Sequence, residues 1–280
     1  MPNHTLPGSP RRLADAATYL LLSAGAAIMI APFAWQILTA FKTPAEALRV
    51  PPTLLPDQWS LTNFTTALSS IPFGAQLMTS IASVGVRSVG QALFCALAGY
   101  AFARLMFPGK NILFLAILAI LMVPSQLYLL PQYEIMSAWG ILNSLPALII
   151  PGIFSAFGTF LMRQFFMSLP RELEEAAKID GAGHFRTFWV IMLPLAKPGL
   201  ITLTIFTALY SWNELLWPLI VNNDPSTLNL SAGLSFLVGQ YSTNYPVLMA
   251  GALMAQVPMV LLFLLLQKQF INGIAFTGGK

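Results

Sequence analysis

The sequence predicts an all-α polytopic membrane protein, and two observations carry that reading. Hydrophobic residues make up 56% of the 280 residues and charged residues only 9%, with a mean hydropathy of +0.72. A soluble globular domain carries roughly 25% charged residues, so this chain cannot cover a water-facing surface. Several apolar runs also reach the length of about 20 residues that a helix needs to cross the hydrocarbon core. A β-barrel would show short alternating segments instead. Six spans are expected, with a charged amphipathic helix in the loop between the fourth and fifth.

The first span is read from Tyr19 to Thr39, behind Arg11 and Arg12. No small-residue cleavage pattern follows it, so it reads as a retained helix and not a signal peptide. From Ala40 to Pro72 the chain carries Lys42, Glu46, Arg49 and Asp57, with Pro51, Pro52 and Pro56 breaking any long helix. This is an exposed loop with room for short helical pieces. The second span runs from Leu77 to Phe102 and ends at Arg104. Phe107-Pro108-Gly109-Lys110 forms a compact turn before a third span from Ile112 to Leu130. The fourth runs from Leu145 to Phe165, with Pro146 and Pro151 near its start. The fifth covers Leu200 to Val221 and contains Trp212, Asn213 and Glu214; Asn222 to Ser226 is a solvated turn. The sixth runs from Val247 to Leu266, with a kink expected at Pro258.

Lysine and arginine set the sidedness. With a cytoplasmic amino terminus, Arg11, Arg12, Arg104, Lys110, Arg163, Arg171, Lys178, Arg186, Lys197, Lys268 and Lys280 lie on or near the cytoplasmic side. Only Lys42 and Arg49 lie outside. Both termini and the charged island are therefore expected in the cytoplasm. The net charge of +4 follows this topology and does not indicate nucleic acid. Cys95, the single cysteine, sits in a span and forms no intrachain disulfide or cysteine metal site. His4 and His184 are too far apart for a two-histidine metal motif, and no G-x-x-x-x-G-K-[ST] phosphate loop is present. No catalytic set and no metal site is expected.

The island runs from Pro170 to Phe188. Ser168 is placed to cap its helix, and Glu172, Glu174 and Glu175 suit the amino-terminal dipole. Leu173, Ala176, Ala177 and Asp180 follow helical spacing and define a narrow face of mostly small side chains, suited to close approach by a partner. Gly181 permits a sharp change of direction. Phe185, Phe188, Trp189 and Met192 form a second periodic face, expected to lie along or pack against the membrane helices. Periodicity alone fits an interfacial loop without a partner equally well. The residue order separates the two.

Glu175-Ala176-Ala177, Gly181, and Ile191 with Leu193-Pro194 stand at the spacing of the signature loop of the inner-membrane permease subunits of ABC importers, which this chain resembles. Asp180 before the glycine matches the form found in the carbohydrate group. Phe165 to Pro170, the run Trp212-Asn213-Glu214-Leu215-Leu216-Trp217-Pro218-Leu219, and the tail Phe270 to Ile274 with Gly278, Gly279 and Lys280 are similar to that group. Ala275 and Phe276 interrupt the usual small-residue tail. The resemblance implies a heteromeric importer with a second homologous permease, two ATPase subunits, an extracytoplasmic solute-binding protein and a prokaryotic cytoplasmic (inner) membrane around it. It implies that this subunit catalyses nothing, and that ATP and Mg2+ belong to the ATPase subunits. Residues 1–73 would hold the first helix and an extracytoplasmic loop, 74–270 the permease domain and 271–280 a short cytoplasmic tail. Glu172, Glu174, Glu175, Ala176, Ala177, Asp180 and Gly181 would form the coupling helix. The cargo implied is a sugar or oligosaccharide, with a polyol or glycerol phosphate as the alternative.

Polar residues inside spans are expensive unless paired or hydrated. Glu214 has three open readings: a hydrogen-bonded network with Asn213 and other helices, contact with the transport pathway, or a coupled proton site. Arg87 in the second span has two open readings, snorkelling or pairing across helices, with Glu214 as a candidate partner. Gln91, Ser125, Gln126 and Tyr128 are placed to face a polar cavity. Tyr128, Tyr210, Trp212, Asn213 and Glu214 are the candidate pathway residues, since sugars present hydroxyls and apolar ring faces. A secondary transporter would show repeated halves and an ion-coupling site, and neither is evident.

Overall fold

The computed structural model describes residues 10–239 and 241–278; His4, Gly279 and Lys280 lie outside the described residues, as do the side chains of Arg11, Arg12 and the tail. Every regular element among the described residues is helical: α1 (Pro10–Ala40), α2 (Pro44–Ala47), α3 (Thr62–Ser70), α4 (Phe73–Arg104), α5 (Lys110–Ile120), α6 (Leu129–Ala138), α7 (Leu145–Ile149), α8 (Ala156–Ser168), α9 (Glu172–Ile179), α10 (His184–Thr187), α11 (Leu193–Leu195), α12 (Lys197–Asn213), α13 (Leu216–Val221), α14 (Leu230–Leu234) and α15 (Tyr245–Gly278). Three stretches are single helices long and apolar enough to cross a membrane: Asp15–Ala40, Phe73–Arg104 and Tyr245–Leu265. Three more candidates are bent pairs: Lys110–Ile120 with Ser125–Ala138 at 97°, Leu145–Gly152 with Ala156–Ser168 at 44°, and His184–Leu195 with Lys197–Asn213 at 74°.

The breaks correct three expectations from sequence. The third apolar run is not one helix. Its first half stops at Ile120, and Pro124 precedes a 3-10 turn at Ser125–Tyr128. The fourth run, expected from Leu145 to Phe165, is divided by the Ile150–Gly152 turn, and α8 starts only at Ala156. The fifth does not continue to Val221. It ends at Asn213, Glu214 is extended, and α13 starts afresh at Leu216. Proline explains why the breaks persist, because it lacks the N–H that would bond the carbonyl four residues back. Pro218 leaves Glu214 O without its helical donor, and Asn229 Nδ2 donates to it instead at 2.6 Å. Pro151 leaves Ala147 O in the same state, and Trp217 Nε1 donates to it at 2.9 Å. Each orphaned carbonyl is answered by a side chain from a distant segment.

The chain divides into two compact units. One comprises the residues up to Ala67 with Leu237–Met254; the other comprises Leu68–Phe236 with the chain from Ala255. In the first, the loop after α1 is closed by polar contacts. Asn63 Nδ2 donates to Ala40 O and Lys42 O, each at 2.8 Å. Phe41 packs on Trp59 and Phe64. Lys42 is buried, donates to Thr53 O and lies 4.6 Å from the centre of the Trp35 ring. Glu46 Oε1 accepts from the Asp57 amide at 2.8 Å and from the Thr53 hydroxyl at 2.9 Å.

Burial pushes the Glu46 carboxyl up, but the Asp57 amide, the Thr53 hydroxyl and the nearby Lys42 ammonium together hold it below the usual 4.5. The folded state therefore favours the ionised form. Its contribution to loop stability is full above the unfolded value and is lost as pH falls through the lowered folded value. Hydrogen–deuterium exchange at the Asp57 amide, corrected for intrinsic rate, is expected to accelerate on acidification below 4.5. Glu46→Gln should abolish that pH dependence. Unchanged exchange in the native protein would refute it.

In the second unit α4 is the spine. Its residues Gln76, Ser80, Arg87, Gln91 and Cys95 fall at near-helical spacing and make a polar stripe along one face. Gln76 Nε2 donates to Pro225 O at 2.9 Å, and Ser80 Oγ accepts from Leu230 N at 2.7 Å. Gln91 Nε2 donates to Gly152 O at 2.8 Å while its Oε1 accepts from Thr207 at 2.9 Å. Cys95 Sγ donates to Ser155 O at 3.4 Å. Below this stripe, Tyr100, Met162, Phe166, Phe188, Met192 and Leu203 close a hydrophobic core between α4, α8, α12 and the Phe188–Met192 segment. Phe188 and Met192 therefore pack as expected, whereas Phe185 and Trp189 remain exposed.

Candidate functional site

Two places in the second unit gather the candidate residues. The first is α9. Its carboxyl end is closed by paired hydrogen bonds, Ala182 N to Ala177 O at 2.9 Å and Gly181 N to Lys178 O at 3.0 Å, with Gly181 at φ +74°. This is the Schellman arrangement, and only glycine adopts that backbone without a Cβ penalty. Ser168 does not cap this helix. It ends α8, and its hydroxyl donates to Phe165 O at 2.8 Å. Arg171 holds the cap position with no side-chain bond.

The expected face of Leu173, Ala176, Ala177 and Asp180 is split by the fold. Leu173, Glu174 and Ala177 turn inward, while Glu172, Glu175, Ala176, Ile179 and Asp180 are exposed. Ile179 is 86% exposed, which gives the outer face an apolar centre between acids. The reason is Arg104 at the end of α4. Its guanidinium donates to Phe166 O and Leu169 O, and its Nε stands 3.7 Å from Glu174 Oε2. Carbonyls at a helix carboxyl end lack internal partners and attract cations. Arg163 does the same for α4 through Phe102 O at 3.2 Å, and Lys110 through Leu105 O at 2.8 Å. Sequence reading treated these basic residues only as markers of sidedness. Their positions at helix ends were the available signal.

The second place is a cavity of about 400 Å³ lined by Arg87, Ser125, Tyr128, Gln132, Gly152, Tyr210, Asn213, Glu214 and Trp217 among others. A larger one of about 690 Å³ shares Tyr128, Pro151, Gly152 and Tyr210 with it, and adds Gln91, Thr207 and an apolar wall of Phe154, Phe157 and Phe206. Both open where helices break, at the Ser125–Tyr128 turn and at Ile150–Gly152; the first also opens at the α12–α13 junction. Broken helices expose backbone polar groups only where a cavity or protein receives them.

Four of the five pathway candidates, Tyr128, Tyr210, Asn213 and Glu214, line the first cavity. Trp212 does not. It is buried on another side of α12, where Nε1 donates to Ala255 O at 3.2 Å. Of the other polar residues flagged from sequence, Ser125 and Gln91 line these cavities and Gln126 lines neither. Arg87 finds its partner here. Its Nη1 donates to Glu214 Oε2 and, at 3.3 Å, to Ser211 Oγ. Gly152 lies flat on the guanidinium, where a Cβ would come within 2.3 Å of Arg87 Nε. Among the described residues no group of His, Cys, Asp and Glu is arranged to hold a metal ion.

The family described as "Binding-protein-dependent transport system inner membrane component" matches residues 92–273. The chain is 37% identical over 260 residues to the arabinooligosaccharides transport system permease protein AraQ of Halalkalibacterium halodurans, spanning 90% of this chain and 92% of that one. It is 33% identical over 272 residues to the sn-glycerol-3-phosphate transport system permease protein UgpE of Yersinia pestis, spanning 94% and 97%. It is 32% identical over 271 residues to the diacetylchitobiose uptake system permease protein NgcG of Streptomyces coelicolor, spanning 95% and 89%. The fold matches a chain in the crystal structure of a bacterial ABC transporter involved in the import of the acidic polysaccharide alginate. That match has a TM-score of 0.81 and 21% identity, over 94% of this chain and 99% of that one.

Proposed function

The chain belongs to the family of binding-protein-dependent transport system inner membrane components, and from that premise we propose that it is the permease subunit of an ATP-driven importer for a sugar or oligosaccharide. Each bent pair counts as one span, so six spans cross the membrane with both termini in the cytoplasm. Residues 74–270 form the permease domain, 1–73 supply the first span and an extracytoplasmic loop, and 271–280 a short tail. A second homologous permease completes the pathway. Two ATPase subunits bind ATP and Mg2+ below, and a solute-binding protein delivers cargo from outside.

The observation that carries this reading is the geometry of α9, a short helix with a closed carboxyl end, an exposed acidic and apolar face, and an inner face tied to α4 and α8. Such an element transmits motion as a rigid body. Glu175, Ala176 and Asp180, with Glu172, form the face offered to the ATPase; Glu174, Ala177 and Gly181 fix the helix in place. Closure of the ATPase pair on ATP moves α9, and the spans alternate between inward and outward access. Tyr128, Tyr210, Asn213 and Glu214 face the cargo. The UgpE relatives favour a second reading, in which the cargo is glycerol phosphate.

The test is ATP-dependent uptake of a labelled sugar panel in vesicles holding the chain with its partner subunits. Glu175→Ala and Gly181→Pro should each cut uptake by about tenfold or more, with the complex still inserted, because proline cannot adopt φ +74°. Equal uptake without the ATPase subunits would overturn the importer reading.

A further inference from the structure

The relatives' names leave the charge of the cargo open, since they include carriers of neutral oligosaccharides and of a phosphate ester. Resting on the importer reading above, the geometry points to the Arg87–Glu214 pair as the element that restricts this permease's cavity to neutral polyhydroxylated cargo and excludes anions.

Three observations carry it. Arg87 and Glu214 are the only charged residues among the described residues lining either cavity. They neutralise each other, so no net positive charge faces the lumen. The pair is also asymmetric: the Arg87 side chain is 3% exposed and that of Glu214 15%. Gly152 covers one face of the guanidinium, and Ser211 and Glu214 engage Nη1. The cavity therefore meets the carboxylate edge of the pair, while the cation sits behind it. An anion entering would lose its hydration beside a like charge. A sugar would not, because hydroxyls donate to a carboxylate and accept from Gln132 and Asn213. Tyr128 and Tyr210 supply aromatic surface for its apolar ring faces.

The alternative for a phosphate or uronate carrier is an arginine free to make a bidentate contact. Here Nη1 of that donor is engaged by Glu214 and Ser211, and Gly152 covers Nε. The acid sits on the extended residue between α12 and α13, where its carbonyl is held by Asn229.

The experiment measures thermal unfolding of the purified permease complex with inorganic phosphate and glycerol 3-phosphate, against sodium chloride at matched ionic strength, beside the vesicle uptake assay. The native complex should show no anion-specific stabilisation, and glycerol 3-phosphate should not compete with a neutral sugar for uptake. Glu214→Gln keeps the shape and exposes Arg87, so phosphate should now stabilise the complex, with apparent affinity raised about tenfold or more. The double variant Arg87→Gln with Glu214→Gln should lose that response. An anion-specific response in the native complex would overturn the proposal, and it needs no variant. A folded Glu214→Gln complex with no gain would overturn it too. Loss of ATP dependence in native vesicles would instead strike the importer reading, so the two failures are separate.

Discussion

Arg87→Ala is expected to lower the unfolding free energy by about 3–5 kcal/mol, because it strands the Glu214 carboxylate inside the protein without its counter-charge. The loss reaches beyond one pair. The guanidinium fills the surface under Gly152 and holds Ser211 on α12, so its removal opens a void among α4, the Ile150–Gly152 turn and α12. Arg87→Lys should recover part of the loss, since one ammonium replaces the charge but not the planar contact with Gly152. Replacing both members by glutamine should cost far less than Arg87→Ala, because an absent pair is cheaper than half a pair. Thermal unfolding of the detergent-purified chain measures all three. An Arg87→Ala loss under about 1 kcal/mol would place the pair in effectively aqueous surroundings.

Gly99→Leu should come next in effect. A Cβ on Gly99 would lie 2.7 Å from Met162 Cβ and 2.8 Å from Arg163 N, closer than real Cβ contacts come. The second of these is α8 backbone, which cannot rotate out of the way. The two helices must separate, and the core of Tyr100, Met162 and Phe166 opens with them. Overpacking of this kind costs about 1–3 kcal/mol and sometimes more. Small residues at such crossings are what let membrane helices approach. Gly85→Leu is the control, since nothing lies within 4 Å of its added Cβ. Equal losses at both positions would show that the effect is helix propensity and not the α4–α8 contact.

Much of the architecture was readable along the chain. Bilayer thickness sets the length of an apolar run, so the spans of α1, α4 and α15 were found within a few residues. Gly181 was legible because a left-handed turn closing a helix admits few other residues. The polar stripe of α4 was partly visible, with Arg87 and Gln91 singled out, although Gln76 and Ser80 at the same spacing passed unremarked. The breaks in the third, fourth and fifth runs were missed for one reason. Hydropathy averages over a window, whereas a break depends on one proline and on a donor that arrives from elsewhere.

The split face of α9 shows the same limit. Helical spacing places Leu173, Ala176, Ala177 and Asp180 near one another, but it cannot say which side faces the protein. Arg104, far away in sequence, decides that by drawing Glu174 inward and leaving Glu175 and Ile179 outside. Composition and spacing by themselves determined the class of fold and the position of the charged helix, because these follow from local hydrophobicity; the family came from the resemblance of the Glu175–Pro194 motif to a known signature loop. Tertiary structure alone decided which acid pairs with Arg87, which aromatics line the cavity and where the helices break. Each of those depends on a hydrogen bond or ion pair between residues distant in sequence, and no local pattern encodes its partner.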